Sequence, residues 1–578
     1  MDAIPLLYYN QYFCIQKYWL FALSIWILIK YVFPIFQVDG GKLDSASAEL
    51  LEGSSSVESR TPKECHSIAN ALESAERTYE MGTCAKQMSD IVRAKYLAYD
   101  TLIKNPETLL RVSTACAKAN GALWTRFTVQ YNLYAGSIVA LGTDEQRAEL
   151  CAAQSEGKLG CFAFTEKAAG VMSGAAMETT ARYDAATKDF VIHSPTDSSA
   201  KNWISQGMYA EKAVILAELF IDEVSYGPHL FWSTIATTST TKTRSKTGND
   251  SGSLERPIPV AGVTIESLPE KTTLVSLDNA SISFDNFRVP ASALLSRFGG
   301  LGEKNEYVPN LPKGCSRMLD LLISRLLTGR IVLSEATLSF ALSRLRINWS
   351  YCKDRKLWKS PRSKQPKHKT MAEMPLVREA FRDYACTLQI YATFIEDTRE
   401  RVAQAIREQV FSHDLIEATC MCKFLGTGFG VDTVSAVRKV MGARGVQEDS
   451  GLGGEESFMP NATCAAEGDN TIMELKIVQD IVRGRTAKLP LPLMFRICGD
   501  KRGRRAIYYY SWGFARAMLL GKRAMEDGRL LRDIAQARAH MRVIDVWLTS
   551  AKGKTSKQGR WLESFEKIAM CFPSRLQA

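Results

Sequence analysis

The spacing of apolar positions changes character twice along this chain. In ECHSIANALESAERTYEMG and QMSDIVRAKYLAYDTLI apolar residues recur every three or four positions, which predicts amphipathic helices. ANGALWTRFTVQYNLYAGSIVALG is apolar almost all round and predicts a long buried helix. The next helix should begin in GTDEQRAELCAA, with Thr143 as its cap and Asp144 and Glu145 in the first turn. At Gly160 the period becomes two. METTARYDAATKDFVIHSP predicts two strands around a turn at Asp184–Lys188. KAVILAELFI, GPHLFWSTI and GVTIESL follow as strands, and NASISFDNFRVP closes the set. The polar stretch ATTSTTKTRSKTGNDSGSLERP between them predicts an exposed loop. Beyond Pro312 the helical period returns in RMLDLLISRLLTGRIVLSEATLSFALSRLRI. A basic, proline-containing loop, KSPRSKQPKHKTM, precedes two more long helices.

These shifts predict a multidomain α+β protein. Residues 1–38 form a hydrophobic segment and 39–157 a helical domain. A central antiparallel β-barrel or sandwich occupies 158–298, a helical bundle 311–487 and a basic helical extension 488–578. The segment from Tyr18 to Phe36 is apolar apart from Ser24 and Lys30. It has the length and aromatic ends of a membrane anchor or interfacial helix, with a buried helix as the alternative. The net charge of +11 matches the excess beyond residue 495, where 18 Lys and Arg stand against 7 Asp and Glu. With no zinc-finger spacing or RNA-binding signature, that tail reads as a solvated helical surface, and nucleic acid is not an expected partner. The fourteen cysteines and six histidines are dispersed, with no CxxC, so no metal site is expected.

The chemistry concentrates in CAAEGDNTIMEL, residues 464–475. Glu467, Asp469 and Glu474 crowd the start of an apolar helix, and Gly468 lets the backbone bend. Two readings stand. Asp469 or Asn470 caps the helix and the acids favour its positive end; or a carboxylate beside the glycine is a general base.

Several strings, in order, resemble the acyl-CoA oxidase and acyl-CoA dehydrogenase flavoproteins, the oxidase branch more closely. They are GTDEQRAEL with GCFAFTE, ETTARYD with DFVIHSP, KNWISQG, DNASISFDNFRVP and EGDNTIM, spanning about Glu49 to Ile481. The resemblance implies FAD as cofactor, a fatty acyl-CoA as substrate and O2 as electron acceptor, with trans-2-enoyl-CoA and hydrogen peroxide as products. By the same resemblance Glu467 is the base that removes the α proton, and Gly468 lies against the thioester. Thr165, Trp203 and Ser205 contact the flavin, and Gly170 belongs to a loop over flavin and substrate. A homo-oligomer and a peroxisomal setting are further implications.

The sequence also departs from the family. The loop after Thr165-Glu166 reads Lys-Ala-Ala-Gly-Val-Met where oxidases have Leu-Gly-His-Gly-Ser-Asn. Asp354-Arg355-Lys356-Leu357 replaces an Arg-Arg-Gln-Phe string, and Ser574-Arg575-Leu576 is followed by Gln577 and Ala578, a context a peroxisomal receptor should not accept. A dehydrogenase that uses a carrier, and a non-catalytic membrane-tethered acyl-CoA-binding relative, are the alternatives.

Overall fold

The computed structural model describes the chain between residues 50 and 570. Residues 1–49, 53–66, 170–176, 239–251, 313–317, 359–367, 454–458, 551–558 and 571–578, and a few shorter stretches, lie outside the described part. The apolar segment 18–36 and Gly170 are therefore outside it.

The helices that come first include α1 Met81–Arg93, α2 Pro106–Cys116, α3 Gly121–Phe127, α4 Gly136–Leu141 and α5 Asp144–Glu156. The expected long buried helix is continuous from α3 to α4, but Thr128–Ala135 between them winds as π-helix. Thr143 caps α5 as the sequence predicts. It accepts from the Gln146 N–H while the Gln146 side chain returns the bond, a full capping box.

The β region contains β1 Gly160–Ala163, β2 Thr180–Asp184, β3 Asp189–His193, β4 Lys201–Ser205, β5 Lys212–Ile221, β6 Val224–Thr234, β7 Val263–Ser267, β8 Asn279–Phe284 and β9 Phe287–Pro290. β5 is the shared strand. β6 runs antiparallel along one edge, while β1 and β2 lie end to end and parallel on the other. β3 and β9 complete this six-stranded sheet, and β4, β8 and β7 form a second, antiparallel sheet. Ala213, Ile215 and Ala217 of β5 face the core between the sheets, whereas Val214 and Leu216 join the helical core. Burial on both faces explains why KAVILAELFI is nearly continuous apolar sequence. NASISFDNFRVP is two strands, not one. The chain turns at Asp285-Asn286 and changes sheets, β8 pairing β4 and β9 pairing β3.

The bundle follows: α6 Met318–Asp354, α7 Pro375–Glu408, α8 His413–Met441, α9 Met459–Ala465 and α10 Asn470–Val482. A short hairpin, Lys356–Trp358 with His368–Thr370, closes the basic loop between α6 and α7. Within α6, Leu326–Asp354 is long and apolar enough to cross a membrane, but 78% of its most apolar stretch is buried in protein, as in a core helix. The extension contributes α11 Leu491–Ile497, α12 Lys501–Leu520, α13 Gly528–Thr549 and α14 Gly559–Ile568.

One of its basic side chains departs from the solvated surface expected of them, and others are tied up in ion pairs. Arg538 is buried and forks onto buried Glu417 of α8, Arg532 pairs with Glu474 of α10, and Arg496 makes two 2.7 Å bonds to Asp545. Arg538 is drawn inward where α13 packs against α10 and α7, while Lys501, Arg516, Arg523, Arg529 and Arg532 keep an exposed basic surface.

Candidate active site

Two clusters carry the predicted residues. The first is the turn between α9 and α10. Glu467 has φ +53 and Gly468 φ +97, so two successive residues occupy the left-handed region. Glycine takes that shape freely, and a Cβ at 468 would also stand 2.6 Å from Met473 Cε. For a glutamate the conformation costs about 1 kcal/mol or more, a strain typical of functional positions. Asp469 then caps α10, its carboxylate accepting from the Thr471 N–H at 2.8 Å. Asn470 opens the helix and turns its amide oxygen to the bundle.

The Glu467 side chain runs the other way, onto the backbone of α6. A Cβ at Gly329 would lie 1.5 Å from Glu467 Oε2, and that oxygen is buried. Behind the turn, Lys423 of α8 donates to the Cys464 carbonyl at 2.7 Å and to Asn470 Oδ1 at 2.9 Å. Burial depresses its ammonium to about 8, against the pull of the surrounding carboxylates. The three acids predicted as one cluster thus separate. Asp469 is a cap and Glu467 enters the bundle. Glu474 is buried against α13, where Gln536 and Arg532 donate to it at 2.6 and 3.0 Å. Arg330, beside Gly329, directs Nη1 at the Cys420 thiol, 3.4 Å away, rather than at an acid.

The second cluster lies on β4. Between Ile204 and Lys201 this strand spends three steps against two on β8, a bulge at Asn202–Trp203. The bulge turns Trp203 outward with φ +59 and leaves its indole 62% exposed. The Asn202 N–H donates to the Thr165 carbonyl at 2.8 Å, bringing exposed Thr165 alongside. Asn279 Nδ2 donates to the Ser205 hydroxyl at 2.9 Å and reaches the Trp203 carbonyl at 3.5 Å. Thr165, Trp203 and Ser205 thus share one edge of the β region.

Beneath them, the buried Glu166 carboxylate accepts from Lys201 Nζ at 2.9 Å and from the Glu178 and Thr179 N–H groups at 2.8 and 3.0 Å. Burial opposes the Glu166 charge, but Lys201 and the amides outweigh it and hold its pKa below the usual value. Burial lowers Lys201 to about 8 despite that partner. The pair pins both ends of the segment that contains Gly170. Since α6 packs on β6 as well as on α8, the helix that walls Glu467 is braced on the β region.

The architecture has clear counterparts. Acyl-CoA oxidase 1 of Yarrowia lipolytica superposes with a TM-score of 0.68 at 18% identity, covering 91% of this chain and 81% of that one. Acyl-CoA oxidase-2 of Caenorhabditis elegans, solved with FAD, ascaroside-CoA and ATP, gives 0.68 at 18% identity, over 92% and 84%. By sequence, the peroxisomal acyl-coenzyme A oxidase 2 of Arabidopsis thaliana is 24% identical over 422 residues, 69% of this chain and 56% of the relative. The peroxisomal acyl-coenzyme A oxidase 2 of Oryctolagus cuniculus is 28% identical over 364 residues, 61% and 49%.

The chain is a divergent relative of the acyl-CoA oxidases. No family model matches it, and it spans about half the length of the curated relatives it matches. A glutaryl-CoA dehydrogenase from Mycobacterium smegmatis shares the fold more narrowly, with a TM-score of 0.53 at 17% identity over 76% of this chain and 95% of that one.

Sequence reasoning passed over Gly329, Lys423 and the Glu166–Lys201 pair. Gly329 left a signal: a glycine deep inside a strong helix costs about 1 kcal/mol relative to alanine, which implies a close neighbour. Lys423, in CMCKFLGTG, left none, because only the packing of α8 among α6, α9 and α10 buries it.

Proposed function

We propose that this chain is an FAD-dependent acyl-CoA oxidase. It desaturates a fatty acyl-CoA to the trans-2-enoyl-CoA and passes the electrons to O2, giving hydrogen peroxide. The carrying observation is the strained Glu467 turn, which sets a carboxylate inside the bundle against a glycine backbone with one oxygen buried. A carboxylate withdrawn from water is a stronger base toward a weakly acidic carbon.

The residues present suit a flavin. An outward-bulged indole offers a face to a planar ring, and Thr165 and Ser205 stand beside it as hydrogen-bonding groups. When bound, FAD supplies the acceptor for the β hydride. Glu467 takes the α proton, and the Gly468 N–H polarises the thioester carbonyl, an approach that a side chain at 468 would obstruct. The Glu166–Lys201 pair fixes the ends of the segment that contains Gly170.

The oxidase branch is favoured over a carrier-dependent dehydrogenase because the oxidase fold covers more of the chain, 91% against 76% for the dehydrogenase. A homo-oligomer and peroxisomal residence follow from the relatives, whose names place them in that organelle.

The test is spectroscopic. The purified protein should carry a flavin absorbance that an acyl-CoA bleaches under nitrogen and air restores with peroxide release. Glu467→Gln should keep the colour and lose the bleaching. A colourless protein, or a Glu467→Gln variant that turns over normally, refutes the reading.

A further inference from the structure

Lys423 is an unusual buried cation. Its side chain is fully enclosed, yet both hydrogen-bond acceptors are neutral: the Cys464 carbonyl at 2.7 Å and Asn470 Oδ1 at 2.9 Å. Neutral acceptors compensate a buried ammonium poorly, so its charge must be balanced by carboxylates nearby. The groups that face it meet that need. Glu467 and Asp469 on the turn carry the negative charge, the Cys464 thiol is held neutral by burial, and Arg330 of α6 works against the Lys423 charge.

The two acceptors also have a telling register. They lie three residues before and three residues after Glu467, one near the end of α9 and the other at the start of α10. Thr427, one helical turn beyond Lys423, donates to the same Asn470 oxygen at 3.1 Å. One helix face thus grips both ends of a turn whose middle two residues are in the left-handed region.

We infer that Lys423 is a positioning residue for the Glu467 carboxylate, clamping its turn from both sides and supplying the positive charge that keeps the carboxylate ionised. The inference rests on the oxidase reading for its chemistry and on geometry alone for the clamp. A net burial cost is consistent with a functional charge, since an apolar side chain of the same length would be easier to bury.

The experiment compares flavin-loaded wild type with Lys423→Met, which keeps the length and removes the charge, and with Asn470→Ala, which removes one anchor. Hydrogen–deuterium exchange over residues 464–472, corrected for intrinsic pH effects, reads the clamp. The pH profile of anaerobic flavin reduction by a saturating acyl-CoA reads the charge. In Lys423→Met, exchange should rise about tenfold and the acid limb should move up by about one pH unit, the shift expected when a carboxylate loses a neighbouring cation. In Asn470→Ala, exchange should rise while the acid limb stays in place. In wild type, protection should weaken as pH rises past 8, where the ammonium deprotonates. Lys423→Met with wild-type exchange, or with an unmoved acid limb, overturns the inference. A wild-type protein that binds flavin but is never bleached by an acyl-CoA overturns the oxidase reading instead, and the exchange result then decides the clamp by itself.

Discussion

Gly329→Ala asks the most direct question of the proposed base. The added Cβ would fall 1.5 Å from Glu467 Oε2, 2.0 Å from its Cδ and 2.3 Å from Oε1, all far inside contact distance. Restoring ordinary contact at about 3.4 Å requires the carboxylate to retreat by about 1.9 Å. A misplacement of about 1 Å at a reacting group can cost about 100-fold in rate, so the loss here should be at least that. Stability should change little by comparison. Alanine favours a helix by about 1 kcal/mol over glycine, and overpacking costs about 1–3 kcal/mol. Flavin content should hold, because Trp203 and Ser205 lie on β4 and Thr165 lies just after β1, bonded to β4 through Asn202. The assay is stopped-flow flavin reduction by acyl-CoA under nitrogen, with thermal denaturation as the control. The double variant Gly329→Ala/Glu467→Asp, one methylene shorter, should recover part of the lost rate. Wild-type flavin reduction by Gly329→Ala would show that the Glu467 carboxylate packed against α6 is not the group that takes the proton.

Two other perturbations probe separate regions. Trp203→Gly removes a strained, exposed side chain, so the apoprotein should be stabilised by up to about 1 kcal/mol while flavin dissociates more readily; equal flavin affinity in a fluorescence titration would remove Trp203 from the cofactor site. Burial lowers His540 to about 4, where it faces the Tyr391 hydroxyl at 3.3 Å and the edge of Phe565. Its folded pKa lies below the ordinary 6.5, so its contribution is intact above pH 6.5 and lost as pH falls toward 4. From pH 7.5 to 5 this crosses about 1.5 units, about 2 kcal/mol. Unfolding free energies from urea titrations should fall by that much more for wild type than for His540→Gln, and parallel pH dependences would refute the assignment.

Much of the fold could be read from pattern. Period and capping chemistry located the change from helix to strand at Gly160, the Thr143 cap and the full length of β5, because these are local or set by burial on a whole face. The candidate residues were legible as a set only through their order along the chain. What pattern concealed was geometry that depends on distant partners. The bulge that exposes Trp203 arises from its register against β8, and the same string could have formed a regular strand. The change of sheet at Asp285-Asn286 has no hydrophobic signature, since β8 and β9 are both apolar on alternate residues. Glu474 resembled its acidic neighbours until α13 brought Arg532 and Gln536 to it.

Arg538 and Arg532 of α13 tie the carboxyl-terminal extension into the bundle. Glu417 is on the same helix as Lys423, and Glu474 is one turn beyond the Asp469 cap. A premature stop codon ahead of residue 528 would remove the partners of both acids together with the helix that covers them, opening the apolar faces of α7 and α10 to water. Nonsense lesions late in the reading frame would therefore be felt in the helices that hold Glu467, far from the codon that changed.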